Sequence, residues 1–213
     1  LEIMEQEKGK PHFKELYYLG YAMMLMDKEK YPKALELIKG YGEDASVSIL
    51  NMRLVIAFRS GNEDEGKAVI KEAAEKKRSI PDHLLPNFIQ TIHIFFSELE
   101  PYTKDIVIET SQSKYLFDQF VSFKQGEEID ILKLQEEESE IEPLLYPILS
   151  ILYKEKLGIE KAIDLVRKCA DNTVLDLRTI TLLSYYKEDS RYNIDRYHLL
   201  RDLRINDETN RVL

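Results

Sequence analysis

Apolar residues recur at three- and four-residue spacing along most of the chain, which is the period of α-helices that bury one side. Pro11 suits a first helical turn, and the charged residues 28–30 separate this helix from a second one that begins at Pro32 and ends at Gly40 or Gly42. Two packed helices are therefore predicted over residues 11–42. The apolar residues of the first are Phe13, Leu16, Tyr17, Leu19, Gly20, Met23, Met24 and Leu25.

The same order of helix, short polar turn and helix continues downstream. Ser46 or Ser48 is expected to cap a third helix, which Gly61 breaks, and a fourth helix is expected over residues 64–77. In the third helix we expect Leu54 and Phe58 to face inward with the other apolar residues. Two consecutive helix pairs are therefore predicted before residue 78.

The middle of the chain has a less regular pattern. A fifth helix is predicted from Asp82 or Pro86 to Leu99, where Pro101 stops it. The stretch "DIVIET" has the β-branched content of a strand, but with no partner strand in view we assign it as helical or irregular. Residues 127–142 include eight acidic residues and only one basic residue, Lys133. The isoleucines among them favour a solvated helix face or an exposed loop over an acidic tail.

Two further helix pairs are predicted near the C-terminus, over residues 143–170 and after Val174. Composition agrees with an all-α fold, because 8 Gly and 7 Pro in 213 residues are few for the many turns of a β-protein. The chain begins with Leu1 rather than Met, as expected of a fragment or a processed protein.

Charge and cysteine content exclude several classes of function. A formal net charge of -9 argues against a general nucleic-acid binder, which needs surplus Lys and Arg. The single cysteine, Cys169, excludes an internal disulfide and a thiolate zinc site, so a reducing, cytoplasmic location is expected. No apolar run approaches the roughly 20 residues of a membrane span, and no signal-peptide pattern is present.

The helix pairs repeat when they are laid over one another. Gly20 and Leu54 occupy matching first-helix positions 34 residues apart. Ala34, Gly66 and Ala162 open the second helices, at intervals of 32 and 96 residues. Repeats are clearest over residues 13–77 and 143–170, with an irregular middle at 101–142.

These repeats resemble the tetratricopeptide repeat family. Leu19 and Gly20 match its Leu-Gly pair, Tyr31 matches the aromatic before the second helix, and Ala34 matches the small residue that follows. The match departs from the family where the first turn is about two residues longer, where Leu54 replaces glycine, and where Gly66 replaces alanine. The resemblance implies one all-α domain over residues 1–213, an alpha-alpha superhelix of stacked antiparallel pairs. In it, small residues such as Gly20 and Ala34 belong to the core between paired helices.

Function by resemblance is recognition of a protein partner, because a concave groove lined by first helices in this family binds a peptide or a helix. The candidate residues of that groove are Tyr17, Tyr21, Met24, Asn51 and Arg59. Tyr17 and Tyr21 stand where the family's carboxylate clamp has Lys and Asn, so binding of chaperone tails is not expected. The alternative that the Tyr and Met side chains are core rather than groove stays open.

No constellation of residues predicts an enzyme. The four histidines have no metal-binding spacing, Cys169 lies on an apolar stripe, and no glycine-rich phosphate loop is present. We expect a non-enzymatic binding module with no metal and no cofactor. Two alternatives remain: the peptide-sensing domain of a bacterial quorum-type transcription regulator, and a scaffold subunit of a larger assembly.

Overall fold

The computed structural model describes residues 11–42 and 44–172. This part of the chain contains ten α-helices and two strands of two residues each, so the prediction of an all-α fold is confirmed. The helix pair predicted after Val174 lies outside the described residues. Residue contacts divide the chain into two compact units, which meet between Ser111 and Gln112. The prediction of one domain stays a prediction, and each unit is described by itself.

Within its described residues, the first unit holds six helices and a two-stranded sheet. The helices form three successive pairs. In sequence, one strand precedes the third pair and the other follows it. In chain order the elements are α1 (Pro11–Asp27), α2 (Tyr31–Lys39), α3 (Val47–Ser60), α4 (Glu63–Glu75), β1 (Ser79–Ile80), α5 (Leu85–Ile94), α6 (Phe96–Thr103) and β2 (Val107–Ile108).

Up to Asn172, where the described part of the chain ends, the second unit holds four helices and two 3-10 turns. Its elements are α7 (Ser111–Lys124), α8 (Ile131–Glu136), the 3-10 turns Glu138–Glu140 and Pro143–Leu145, α9 (Tyr146–Leu157) and α10 (Ile159–Asn172). Helices α9 and α10 form its main hairpin, joined at Gly158, whose φ of +94° suits a residue without a Cβ. Residues 146–153 of α9 are all buried, so this part of the helix is enclosed on every side. Ala162 of α10 is buried as well.

Local sequence signals explain where the helices of the first unit begin and end. Ser46 accepts a hydrogen bond from the backbone N–H of Ile49 at 3.3 Å and so caps α3, as predicted. Gly61 ends α3 in the left-handed conformation with φ +68°. Asn62 then caps α4 through its side-chain oxygen, which accepts from the backbone N–H of Glu65 at 3.1 Å.

Helices α1 and α3, the first helices of two successive pairs, run in the same direction. The amine of Lys14, near the start of α1, donates to the carbonyl oxygen of Tyr41, just after α2, at 2.9 Å, so α1 and α2 are antiparallel. The hydroxyl of Ser46, directly before α3, donates to a carboxylate oxygen of Glu15 at 2.7 Å. Because the starts of α1 and α3 lie together, these two helices are parallel.

Helix α5 shares that direction. A Cβ on Gly66, at the start of α4, would lie 3.5 Å from the methyl group of Thr91, in the second half of α5. Lys67, the next residue of α4, pairs with Glu98 of α6 at 3.1 Å. The start of α4 thus lies beside the end of α5, and because α3 and α4 are joined by the tight turn at Gly61, α3 and α5 are parallel.

The predicted fifth helix is in fact two helices, and Pro101 does not stop it. The break lies at Phe95, whose φ of -110° and ψ of 31° leave the helical region, whereas Pro101 lies inside α6. Pro101 has no N–H to donate to the carbonyl oxygen of Ser97, so α6 lacks one backbone hydrogen bond there.

The assignment of "DIVIET" as helical or irregular is wrong for Val107 and Ile108, which form a strand, whereas residues 105–106 and 109–110 are irregular. Val107 and Ile108 pair in parallel with Ser79 and Ile80, and the backbone N–H of Glu109 extends the pairing by donating to Ile80 at 3.1 Å. The two isoleucines are buried, so the strand is stabilised by a contact that is distant in sequence.

Gly20 does not belong to the core, which corrects the expectation drawn from the Leu-Gly pair. It is exposed, and a Cβ built on it would meet nothing within 4 Å. The small residue that α1 buries is Ala22, two positions further along the helix and on a different side of it. Ala34 is buried as predicted, whereas Leu16 and Met23 are more than half exposed.

Membrane insertion of a helix is a separate question. Among residues 11–42 and 44–172, no helix combines the length and the hydropathy that crossing a bilayer requires.

Candidate functional site

Helices α1, α3 and α5 leave one side of the first unit without a covering helix among the described residues. The side chains there recur four and then three residues apart, which is the spacing of a single helical face. We call this surface the open face. Its residues are Tyr17, Tyr21 and Met24 of α1, Asn51, Val55, Phe58 and Arg59 of α3, and Asn87 and Ile94 of α5, each of them exposed or half-buried.

Three large apolar side chains of the open face are exposed. Met24 is 45% exposed, Phe58 is 47% exposed and Ile94 is 39% exposed. Each lies seven residues, or two helical turns, after Tyr17, Asn51 or Asn87 on its own helix. The three helices are parallel and neighbouring helices are in contact, so these side chains hold equivalent positions on successive helices, and we call them the apolar row.

An amide pair fixes the register of two of these helices. Nδ2 of Asn87 donates to Oδ1 of Asn51 at 2.7 Å, and both side chains are half-buried. Within the described residues, the pair leaves Nδ2 of Asn51 and Oδ1 of Asn87 without a partner. The open face thus offers one amide donor and one acceptor two turns before its apolar row.

Tyrosine rings cover the same end of α1. The ring of Tyr17 lies 5.9 Å from that of Tyr18 and 6.0 Å from that of Tyr21, measured between centroids. The Tyr18 hydroxyl donates to the carbonyl oxygen of Gly40 at 3.3 Å, so Tyr18 packs on the α2 side of the helix. Tyr17 is half-buried against these rings, while Tyr21 is 39% exposed.

Two arginines of α3 have contrasting surroundings. Arg53 faces the second helices, where its guanidinium donates to Glu65 at 2.7 Å and to Glu72 at 2.5 Å. Arg59 is half-buried on the open face and forms no hydrogen bond or ion pair with any other described residue. One cation is therefore part of the fold, whereas the other is available to a ligand.

The Arg53 cluster is a partly buried ion network between α2, α3 and α4. The side chain of Glu65 is only 5% exposed and also pairs with Lys39, while Glu72 also accepts from Lys76 at 2.8 Å. Burial alone would raise the pKa of Glu72, but hydrogen bonds from Lys76 and Arg53 outweigh it and hold that pKa below the ordinary value. The network fixes α3 against its partner helices and leaves the opposite side of α3 open.

All five predicted binding residues lie on the open face. Tyr21 and Met24 are exposed and Tyr17, Asn51 and Arg59 are half-buried, so none of them is a fully buried core residue. Their role in binding stays a prediction.

Sequence reasoning missed four residues of this surface. Phe58 was expected to face inward and is instead among its most exposed members, and Val55, Asn87 and Ile94 were not proposed for it. A signal was present, because Phe58 and Ile94 lie 34 and 70 residues after Met24, close to one and two repeats.

A depression of about 440 Å³ lies between α2 and the turn that joins α3 to α4. Tyr31, Pro32 and Leu35 of α2 form its apolar wall, and Ser60 and Asn62 close it from the α3–α4 turn. Ser60 donates to the carbonyl of Ile56, and Asn62 caps α4, so both polar groups already serve the fold. None of the predicted binding residues lines it.

The described residues offer no site for a metal ion. No group of three or more His, Cys, Asp or Glu side chains in the described ranges could hold a metal ion.

Comparison with other proteins adds no assignment. The likeness to tetratricopeptide repeats therefore stays a prediction from Leu19, Gly20, Tyr31 and Ala34. No family model matches this chain, and neither a curated protein nor a solved structure matches it.

Proposed function

We propose that this protein is a non-enzymatic interaction module that binds a peptide or a helix of a partner protein on the open face. The observation that carries the proposal is the row of Met24, Phe58 and Ile94, three large apolar side chains left exposed on adjacent parallel helices. Exposed apolar side chains are ordinary when scattered, but a contiguous patch with polar neighbours is typical of an interaction site.

The composition of the row suits a peptide ligand. Methionine is flexible and adapts to different apolar surfaces, and phenylalanine is enriched in protein interfaces. Asn51 and Asn87 supply the polar part, since their remaining donor and acceptor match the N–H and C=O groups of a peptide backbone. Binding of this kind needs neither a cofactor nor a catalytic group.

A scaffold role is a second candidate, favoured by a different observation. Leu16 and Met23, on the other side of α1 from Tyr21, are 56% and 54% exposed. A subunit of a larger assembly would bury such a face against its neighbour. Size-exclusion chromatography with light scattering distinguishes the two, because self-association that Leu16→Glu abolishes would support the scaffold, and a monomer with normal peptide binding would not.

The test of the main proposal is selection from a random peptide library displayed on phage. The full chain is compared with Phe58→Glu and Met24→Glu, which place a charge in the apolar row. Leu132→Glu, at a 69% exposed position of α8, is the matched control. Peptides enriched by the unmodified chain should bind Phe58→Glu at least about tenfold more weakly by fluorescence anisotropy, and bind the control unchanged.

Circular dichroism spectra of all variants establish that they are folded, which the exposure of the substituted positions predicts. If the unmodified chain enriches no peptide, or if Phe58→Glu and Met24→Glu bind the enriched peptides as tightly as it does, the proposal is wrong.

A further inference from the structure

We propose that the bound segment carries a carboxylate that pairs with Arg59, next to an apolar side chain that packs on Phe58. This inference rests on the proposed function and states the chemistry of the partner. It would make the open face selective for acidic apolar peptides rather than for apolar peptides in general.

The position of Arg59 motivates the inference. It directly follows Phe58 in the last turn of α3, and it is the only charged residue of the open face as defined above. It is half-buried, and no carboxylate among the described residues pairs with it. Arg53, six residues earlier on the same helix, shows how this chain treats an arginine that serves the fold, since two glutamates bind it.

Charge complementarity follows from the cost of removing a guanidinium from water. A charge that a ligand covers further loses hydration, and the loss is offset only when an opposite charge or hydrogen-bond acceptor replaces the water. A guanidinium presents its N–H groups as a planar fork that matches both oxygens of a carboxylate. An apolar ligand without an acid would therefore leave Arg59 covered and unpaired, which disfavours it.

The net charge of the chain makes this selectivity local. A protein with a formal charge of -9 has no long-range attraction for anions, so an acidic peptide gains only where a specific cation meets it. Phe58 and Arg59 are adjacent on one helix, so the spots they contact lie about 10 Å apart or less. In an extended peptide at about 3.3 Å per residue, the acid then lies within about three residues of the apolar anchor.

A carboxylate can come from an Asp or Glu side chain or from the C-terminus of the partner. The experiment separates the two sources with four versions of one apolar peptide. This peptide is taken from the selection above or, if the selection gives no single sequence, is a defined Leu-rich peptide. The versions combine Glu or Gln beside the anchor with a free or an amidated C-terminus. Binding to the full chain is measured by fluorescence anisotropy at fixed salt.

The variants are Arg59→Gln, Arg59→Lys and, as control, Lys33→Gln at an exposed position of α2. The unmodified chain and the control should prefer a carboxylate version over the fully neutral one by about tenfold, as a charged hydrogen-bonded pair provides. Arg59→Gln should lose that preference and still bind the neutral peptide, and Arg59→Lys should keep part of it. Whichever carboxylate version is preferred identifies the source.

The outcomes distinguish this inference from the proposed function. Binding of all four peptides with equal affinity, weakened by Phe58→Glu, would overturn the role of Arg59 and leave the peptide-binding face intact. A carboxylate preference that Arg59→Gln retains would overturn it as well. If no version binds more tightly to the unmodified chain than to Phe58→Glu, the proposed function is wrong and this inference is wrong with it.

Discussion

Asn87 of α5 donates a hydrogen bond to Asn51 of α3 at 2.7 Å, and so joins the first helices of two successive pairs. Seven residues further along each helix, the same side presents Phe58 and Ile94 to solvent. The amide pair therefore does more than connect two helices. It sets the register in which two members of the apolar row lie side by side.

The amide pair should be measurable as a coupling between the two positions. Asn51→Ala and Asn87→Ala should each destabilise the first unit, and the double variant should be more stable than the sum of the two losses predicts by about 1 kcal/mol. Urea unfolding followed by circular dichroism measures this coupling. Val55→Ala combined with Asn87→Ala serves as the control cycle, and equal coupling in both cycles would mean that the hydrogen bond contributes nothing specific.

Arg53 and Arg59 should differ sharply in what their removal costs. Arg53→Met removes one partner of Glu65, whose side chain is 5% exposed. The substitution should lower the free energy of unfolding by about 3 kcal/mol. Arg59→Met removes no hydrogen bond or ion pair within the described residues and should change the free energy of unfolding by less than about 0.5 kcal/mol. Thermal and urea denaturation of the two variants tests the contrast. A large loss for Arg59→Met would place Arg59 in the fold and not in a binding site.

Glu72 should contribute to the stability of the first unit in a pH-dependent way. Burial raises its pKa, but the hydrogen bonds from Lys76 and Arg53 lower it more, so its folded pKa lies below the ordinary value of 4.5. Such a carboxylate stabilises the folded state above its unfolded pKa, and the contribution is lost as the pH falls through the folded pKa. Glu72→Gln should cost about 1–2 kcal/mol at neutral pH.

The difference between Glu72→Gln and the unmodified chain should then shrink as the pH falls below the ordinary glutamate pKa. Denaturant unfolding across that range measures it, with Glu75→Gln, an exposed glutamate of the same helix, as the comparison. A difference that stays constant into acid would show that the Glu72 carboxylate does not carry the effect.

Features with a local cause could be predicted from the sequence. Ser46 and Gly61 act on the backbone within one turn of themselves, and α3 begins and ends there. The strand pairing of Ile80 with Ile108 could not be predicted in the same way, because it joins residues 28 positions apart and the strands are only two residues long. The break at Phe95 has no glycine or proline at that position to announce it.

The open face was only partly predictable for a related reason. A helical period shows which residues share a face, but it does not show which face a neighbouring helix covers. Leu54 and Phe58 lie four residues apart in one apolar pattern, yet Leu54 is buried and Phe58 is exposed. The paired carboxylates of Arg53 are the structural fact that decides which side of α3 faces inward, and they lie on another helix.

Gly20 and Gly61 provide a test of the repeat register that the sequence suggests. Gly20→Ala should stabilise the chain by about 0.5–1 kcal/mol, because the position is exposed in mid-helix, a Cβ there meets nothing within 4 Å, and alanine restricts the unfolded state. Gly61→Ala should destabilise by about 1 kcal/mol, because φ is +68° although space is equally open. Urea unfolding of both variants measures the two changes in one assay, and Gly61→Ala shows that the assay resolves effects of this size.

A tetratricopeptide repeat that buries this glycine between paired helices demands the opposite sign at Gly20, since an added methyl group would then push α1 away from α2. A loss of stability in Gly20→Ala would therefore contradict the exposed position of Gly20 and favour the packing implied by the Leu-Gly pair.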